Sequence, residues 1–325
     1  KTALKIISSG KGVLAADEST GTMTKRLESV KVQSNEENRL KFRSILFSSK
    51  SMNNCIGGVI LYDETIKQKC NKETIPELIS KSGAVPGIKV DTGAKELARS
   101  KEEKITEGLD GLRERLKNYY KLGARFTKWR AVYSISDKYP SKLAVNVNAH
   151  ALARYASLVQ EAGMVPIVEP EVLMEGNHTI DVCNEVTKRT LNIVFEQLLM
   201  HHVALDGIVL KPNMIISALH CSEQAGVDEV AEKTYKCLYE NVPSDVAGIA
   251  FLSGGQSSDL ATLHLNKINE LYRSESPWNV TFSYGRALQA DALKAWNGSN
   301  RDDGQRELLK RAEQNSMATF GKLNM

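Results

Sequence analysis

Lys211 closes the apolar run Gly207 to Lys211 (GIVLK), and Pro212-Asn213 stops that run directly behind it. An amine carried out of an apolar strand is a candidate nucleophile, because only the unprotonated form attacks a carbonyl to give a Schiff base. The iminium so formed withdraws electrons from the neighbouring carbon-carbon bond and lets it break. Lys128, in ARFTKWR, could approach Lys211 from another strand. Two ammonium groups ~4 Å apart at an effective dielectric of ~20 repel by about 4 kcal/mol, roughly 3 pKa units, which favours a free amine near neutral pH. Glu169, followed by Pro170 and Glu171, offers paired carboxylates whose proximity would drive their pKa values apart and let them move protons.

Similar residues end most of the other apolar runs: Asp17 and Ser19, Lys89 and Asp91, Lys128 and Arg130, Ser253, and Arg286 just after Gly285. Several are i, i+2 pairs, which project from one side of a strand. Any one of them alone reads as a solvated loop residue. Taken as a set they imply one polar rim, since burying so many without a task would cost several kcal/mol. Leu252-Ser253-Gly254-Gly255-Gln256-Ser257 places glycines where backbone N–H groups can face an anion, and Ser283-Tyr284-Gly285-Arg286 adds a glycine and a guanidinium beside a helix start.

The elements that position these residues are eight short apolar or β-branched runs: 12–17, 57–62, 87–91, 124–130, 165–169, 207–211, 248–253 and 280–284. Strands buried on both faces read this way. Between them lie amphipathic stretches at 109–122, 149–161, 182–199 and 227–238, the first two followed by Gly123 and Gly163. Eight alternating β and α units predict an α/β protein, a closed (β/α)8 TIM barrel. Without a glycine- or proline-rich linker, residues 1–325 are expected to form a single domain. Residues 95–107 read as an exposed insertion. Residues 301–325 read as a C-terminal helix leading to a tail that is truncated or mobile.

Composition narrows the function classes. With 42% hydrophobic and 25% charged residues the 325-residue chain can build a core, and a net charge of +4 fits a mixed surface or an anionic small substrate. No Lys/Arg block interleaved with aromatics points to nucleic acid. No apolar stretch is long enough to insert in a membrane, and residues 1–10 lack a secretory core. The chain opens on Lys1 without an initiator Met, which leaves room for a trimmed leader. Five scattered cysteines without CxxC spacing suggest reduced thiols and a cytoplasmic location, and the six histidines show no metal-ligand spacing. Neither a metal nor a cofactor is expected.

Segments of the chain closely resemble class I fructose-1,6-bisphosphate aldolases: GVLAADESTGT, CIGGVILYDET, GIKVDTG, GLDGLRERL, GARFTKWRAV, NAHALARYASLVQEAGMVPIVEPEVL, LDGIVLKPNM, FLSGGQS and TFSYGRALQADALKAW, in family order from Lys11 to about Trp296. The resemblance implies reversible cleavage of fructose 1,6-bisphosphate to dihydroxyacetone phosphate and glyceraldehyde 3-phosphate. It implies Lys211 as the Schiff-base lysine, Glu169 as the main acid/base, Lys128 as its charged neighbour, and Glu171 as a residue orienting Lys211. Asp17 would accept the C4-hydroxyl proton with Lys89 nearby. Ser253, Gly254 and Arg286 would hold the C1-phosphate, with Ser283 and Gly285 also substrate-binding, and Ser19, Thr22, Lys25, Arg26 and Arg130 would lie around the other end of the phosphorylated ketose. The family also implies a homotetramer, and an additional scaffold role on actin or on acidic cytoplasmic tails. Family members usually end in a tail with a terminal Tyr, whereas this chain stops at Met325. Related alternatives are a Schiff-base barrel for another sugar, such as fructose 1-phosphate or a transaldolase-like donor, and metal-dependent aldol cleavage, which the histidine spacing disfavours.

Overall fold

The computed structural model describes residues 1–49, 51–138 and 140–323. Eight parallel strands close on one another: β1 (Gly12–Ala16), β2 (Ile56–Leu61), β3 (Val85–Lys89), β4 (Phe126–Tyr133), β5 (Val165–Val172), β6 (Val209–Leu210), β7 (Gly248–Phe251) and β8 (Asn279–Tyr284). Each pairs with its neighbours in sequence order, and β8 returns to β1 through the register partners Val13 with Ser283 and Leu14 with Tyr284. With helices between the strands, this is a (β/α)8 TIM barrel.

The apolar runs are strands because both faces are covered. Every residue of β1, β2 and β7 is buried, one face by the barrel interior and the other by the helices. The interior is filled low down by Val13, Ile60, Phe126, Ile167, Val209 and Ala250. The short helix Thr2–Ile6 adds Ala3 and Ile6, and Ile7 follows, to plug the bottom of the barrel. Each such Ile or Phe stabilises the fold by roughly 1.5 to 3 kcal/mol. The plug explains Gly57, whose absent Cβ would lie 2.0 Å from the Ile6 carbonyl oxygen. The open end is the other one, where the strands' C-terminal ends converge.

The amphipathic stretches are helices at Leu112–Lys121, Lys142–Glu161, Ile180–Met200 and Val227–Asn241. Lys142–Glu161 begins a full two turns before residue 149, because Ser141 caps it by accepting from Ala144 N at 3.1 Å. The last helix spans Arg301–Ala318 and docks on the barrel's helical layer, where Thr262 Oγ1 bonds Asn315 Oδ1 at 2.8 Å. It stops earlier than the expected 301–325, and the expected tail lies outside the described residues.

Several strands end away from the expected positions, and β4 runs past Arg130 to Tyr133. β5 runs on through Glu169 to Val172, carrying Glu171 within regular pleat, whereas β6 stops at Leu210 and leaves Lys211 at its exit. The expected exposed insertion is an antiparallel hairpin, Gly93–Leu97 with Ser100–Glu107, and most of its described side chains are exposed or half-buried. It is seated by its polar side chains. Glu103 accepts from Ser141 N at 2.7 Å and Ser141 Oγ at 2.8 Å, and Thr106 Oγ1 donates to the Arg130 carbonyl at 2.7 Å.

Candidate active site

The strands' C-terminal ends enclose a cavity of about 400 Å³. Its wall includes Asp17, Ser19, Thr22, Arg26, Lys89, Lys128, Arg130, Glu169, Glu171, Lys211, Ser253, Gly254, Ser283, Gly285 and Arg286. Lys25 is the exception among the expected site residues. It lies on the exposed face of helix Thr20–Ser29, one residue before Arg26, and does not line the cavity. Larger clefts of about 760 and 1060 Å³ lie elsewhere, between outer helices, but neither gathers ionisable groups from several strand ends. Charge identifies the site here, not volume.

At its centre one carboxylate is shared by two lysines. Lys211 Nζ stands 3.2 Å from Glu169 Oε1, and Lys128 Nζ stands 3.2 Å from Glu169 Oε2. Lys128 also donates to Asp17 Oδ2 at 2.7 Å. These four side chains come from β1, β4, β5 and the exit of β6, and all are buried. Lys211 is fixed through its backbone, whose N–H bonds the Val168 carbonyl at 2.8 Å. Asn213 then ties the chain to β5, accepting from Val172 N at 3.0 Å.

The physical cause of the reactive amine differs from the one spacing suggests. Burial is the leading influence holding Lys211 below the ordinary lysine range. The charge of Glu169 opposes it, and repulsion from Lys128 comes only third. Lys128 itself stays charged, since Asp17 and Glu169 hold its ammonium above the ordinary range against the effect of burial, and its charge adds to the lowering of Lys211 behind burial. Burial would raise Asp17 and Glu169, but the lysines reverse that and hold both carboxyls below the usual range. At rest, therefore, Glu169 is a charged base beside the amine.

Glu169 and Glu171 occupy one side of β5 and differ in their nearest cations: Glu169 faces Lys128 and Lys211, and Glu171 accepts from Arg130 Nε, a charge that also lowers Glu169. It is the Glu169 oxygen that faces the Lys211 nitrogen, at 3.2 Å.

The anion end is built from two loops. In Ser253-Gly254-Gly255-Gln256 both glycines have positive φ, 44° and 77°, which turns successive N–H groups in one direction. Gln256 N closes the turn on the Ser253 carbonyl at 2.9 Å. Arg286, the first residue of helix Arg286–Trp296, donates Nη2 to the Gln256 carbonyl at 2.9 Å and so fastens the second loop to the first. Ser283 Oγ is buried with no hydrogen-bond partner. Across the cavity, Ser19 caps helix Thr20–Ser29 by accepting from Thr22 N at 3.3 Å, so a second helix start faces the space.

Of two further acids in the wall, Asp91 was expected in the polar rim without a role of its own, and Glu18 was not expected. Asp91 is buried, which pushes its carboxyl up against the pull of Lys128 and Lys89. It accepts from Gly93 N at 3.1 Å and lies 3.7 Å from Lys89 Nζ. Glu18 sits between Asp17 and Ser19 and accepts from Arg26 Nη1. The period of a strand places Asp17 and Ser19 on one side and says nothing of Glu18, whose partners come from later helices. Among the described residues no group of three or more His, Cys, Asp or Glu is arranged to hold a metal ion.

Comparison with known proteins gives one answer. The family model for fructose-bisphosphate aldolase class-I matches residues 1–325. The chain is 48% identical over 324 residues to human fructose-bisphosphate aldolase B, covering 98% of this chain and 89% of that protein. It is 48% identical over 315 residues to the Arabidopsis thaliana protein named fructose-bisphosphate aldolase 4, cytosolic, covering 96% and 80%. A Plasmodium falciparum fructose-bisphosphate aldolase, crystallised in a ternary complex with TRAP and a small-molecule inhibitor, superposes with a TM-score of 0.97 at 45% identity, covering 100% of this chain and 94% of that one.

Proposed function

The chain belongs to the class-I fructose-bisphosphate aldolase family, and from that premise we propose that Lys211 is the amine that bonds covalently to the substrate's C2 carbonyl. Its function is that of a glycolytic aldolase, a carbon-carbon lyase acting on fructose bisphosphate. The observation that carries the assignment of Lys211 is its burial with Glu169 Oε1 3.2 Å from its ammonium.

In this reading Glu169 takes a proton from Lys211, and the free amine adds to C2 to give a carbinolamine. Glu169 returns that proton to the departing hydroxyl, water leaves, and an iminium remains. Asp17 then accepts the C4-hydroxyl proton as the C3–C4 bond breaks, and the bonding pair flows into the iminium to give an enamine. Lys128 holds both carboxylates in place and balances the charge that moves between them. Ser253, Gly254, Ser283, Gly285 and Arg286 receive one phosphate, and Ser19, Thr22, Arg26, Lys89 and Arg130 receive the other end. Protonation of the enamine and addition of water across the iminium release dihydroxyacetone phosphate. The test is borohydride reduction in the presence of fructose 1,6-bisphosphate followed by peptide mapping. The reading requires the adduct on Lys211, and an adduct on any other lysine overturns it.

The proposal takes residues 1–325 as one barrel domain, which the packing of helix Arg301–Ala318 on the helical layer supports. Five free cysteines and a relative named cytosolic support a cytoplasmic location. No helix of the described residues is long and apolar enough to cross a membrane. A homotetramer, as the family resemblance implies, is read out by light scattering. A protein partner at the same rim is a second reading, favoured by the complex of the Plasmodium relative with TRAP. It predicts that acidic peptides lose affinity when Arg130 or Arg286 is replaced.

A further inference from the structure

Glu18 is an acid in the wall of a cavity whose other end-groups suit anions. A carboxylate there repels a phosphate, so its presence calls for a compensating task. Its side chain is 6% exposed and lies between two guanidiniums. Oε1 accepts from Arg26 Nη1 and, at 2.9 Å, from Gln289 Nε2. Oε2 is 3.8 Å from Arg43 Nη2. Arg43, 1% exposed, also donates to the Glu18 carbonyl and to Thr65 Oγ1, each at 2.7 Å. Its Nη1 is 3.6 Å from Glu64 Oε1, and Arg39 grips the Glu64 carboxylate with two donors at 2.9 and 2.6 Å.

The sequence of charges is therefore Arg26, Glu18, Arg43, Glu64, Arg39, alternating in sign from the cavity outward. It links the exit of β1, helix Thr20–Ser29, helix Glu36–Phe47 and the short helix Asp63–Ile66 behind β2. Glu18 is fixed by other elements, through Gln289 on helix Arg286–Trp296 and Arg43 on helix Glu36–Phe47. Arg26, 23% exposed, borrows its position from Glu18. The bond to Glu18 uses one nitrogen, and a guanidinium has further donors for an anion.

We infer that Glu18, held by the buried Arg43, is a positioning residue that fixes the Arg26 guanidinium at the cavity mouth for the substrate's second phosphate. The inference rests on the reading of Arg26 as a phosphate contact. Preorganisation of this kind strengthens binding of the charged end, because an arginine already in place loses less rotamer freedom when the anion arrives.

The test is Glu18→Gln, which keeps the size and removes the charge. The readout is the ratio of kcat/KM for fructose 1,6-bisphosphate to that for fructose 1-phosphate. Positioning predicts that the ratio falls about tenfold, the size of one charge-assisted hydrogen bond, mainly through KM. It also predicts that Glu18→Gln causes no further fall in an Arg26→Ala background. Equal loss on both sugars, or an undiminished second loss in that background, overturns it. Should Glu18→Gln fail to fold, Glu64→Gln, two links out, must lower the same ratio by a smaller factor, and an unchanged ratio overturns the inference. If Arg26→Ala itself leaves the ratio unchanged, the phosphate reading and the inference both fall. If Arg26→Ala lowers it and Glu18→Gln does not, only the inference falls.

Discussion

Lys211 Nζ lies 3.2 Å from Glu169 Oε1 inside a ring of strand ends that water hardly reaches. The two groups oppose each other's most stable state. Burial disfavours the ammonium of Lys211, while the Glu169 carboxylate beside it favours that ammonium. The proton donor and acceptor of the first step are thus already in contact, which suits a step that must give the proton and return it.

The balance can be moved in both directions. Glu169→Gln removes the charge that holds the proton on Lys211, so the pH midpoint of amine reactivity should fall. Lys128→Met removes a like charge, so the midpoint should rise while staying below that of an ordinary lysine, because burial remains. The midpoints are measured from the pH dependence of amine-selective labelling of Lys211 in the unliganded protein. Movement of both in one direction would contradict the charge arrangement. Both variants should cleave substrate at least about 10²-fold more slowly, through loss of proton transfer or its support.

Asp17 carries a sign that can be checked through stability. Its folded-state pKa lies below the unfolded value, held there by Lys128 and Lys211 against burial. A carboxyl of this kind stabilises the fold above the unfolded pKa of about 3.9, and the contribution is lost as pH falls from there through the folded value. Asp17→Asn should therefore cost about 3 to 5 kcal/mol at neutral pH, the usual consequence of breaking a buried pair. In urea denaturation the gap to the parent protein should stay level from pH 7 to about 5 and narrow only below about 4. The variant should still form the borohydride-trapped adduct while cleavage falls by about 10²-fold or more.

If the 253–256 loop receives a phosphate, as proposed, it should be sensitive to a single methyl group. Gly255 has φ of 77°, and a Cβ there would lie 2.3 Å from Met174 Sδ. Gly255→Ala should raise KM for fructose 1,6-bisphosphate about tenfold, a loss of ~1.4 kcal/mol in binding. Met174 can swing away, since its side chain is flexible. Adding Met174→Ala should therefore return part of the loss, with the remainder owed to backbone strain. No recovery in the double variant would locate the whole effect in φ.

What the sequence made legible follows from the period of a strand. Asp17, Lys128, Glu169 and Lys211 stand at the ends of runs buried on both faces, and a closed barrel brings such ends together whatever the loops do. Lys25 stands off the cavity wall for a local reason. On a helix, neighbours in sequence face different ways, and Arg26 rather than Lys25 points into the cavity. The hairpin at Gly93–Leu97 and Ser100–Glu107 is largely exposed, as its lysines and glutamates suggest, but the burial of Glu103 on the N-terminus of helix Lys142–Glu161 was not legible, because its partner Ser141 lies far along the chain. The leading cause of the lowered Lys211 pKa, its burial, was also beyond reach, since it depends on how the other strands close around the amine.

Arg130 tests whether a pair at the rim is structural or serves the substrate. It donates to Glu171, and its carbonyl receives Thr106 Oγ1 at 2.7 Å, so it joins β5 to the hairpin. Its side chain is 44% exposed against 9% for Glu171, so solvent screens part of the interaction. Arg130→Met should then cost about 1 to 3 kcal/mol, less than a fully buried pair, because it strands a nearly buried carboxylate. Replacing Glu171 as well, in Arg130→Met/Glu171→Leu, should restore most of that stability, because no unpaired charge remains. Catalysis should behave differently. If Arg130 contacts the substrate's phosphorylated end, the double variant regains its melting temperature but keeps a raised KM for fructose 1,6-bisphosphate. Recovery of KM together with stability would instead assign Arg130 to the scaffold alone.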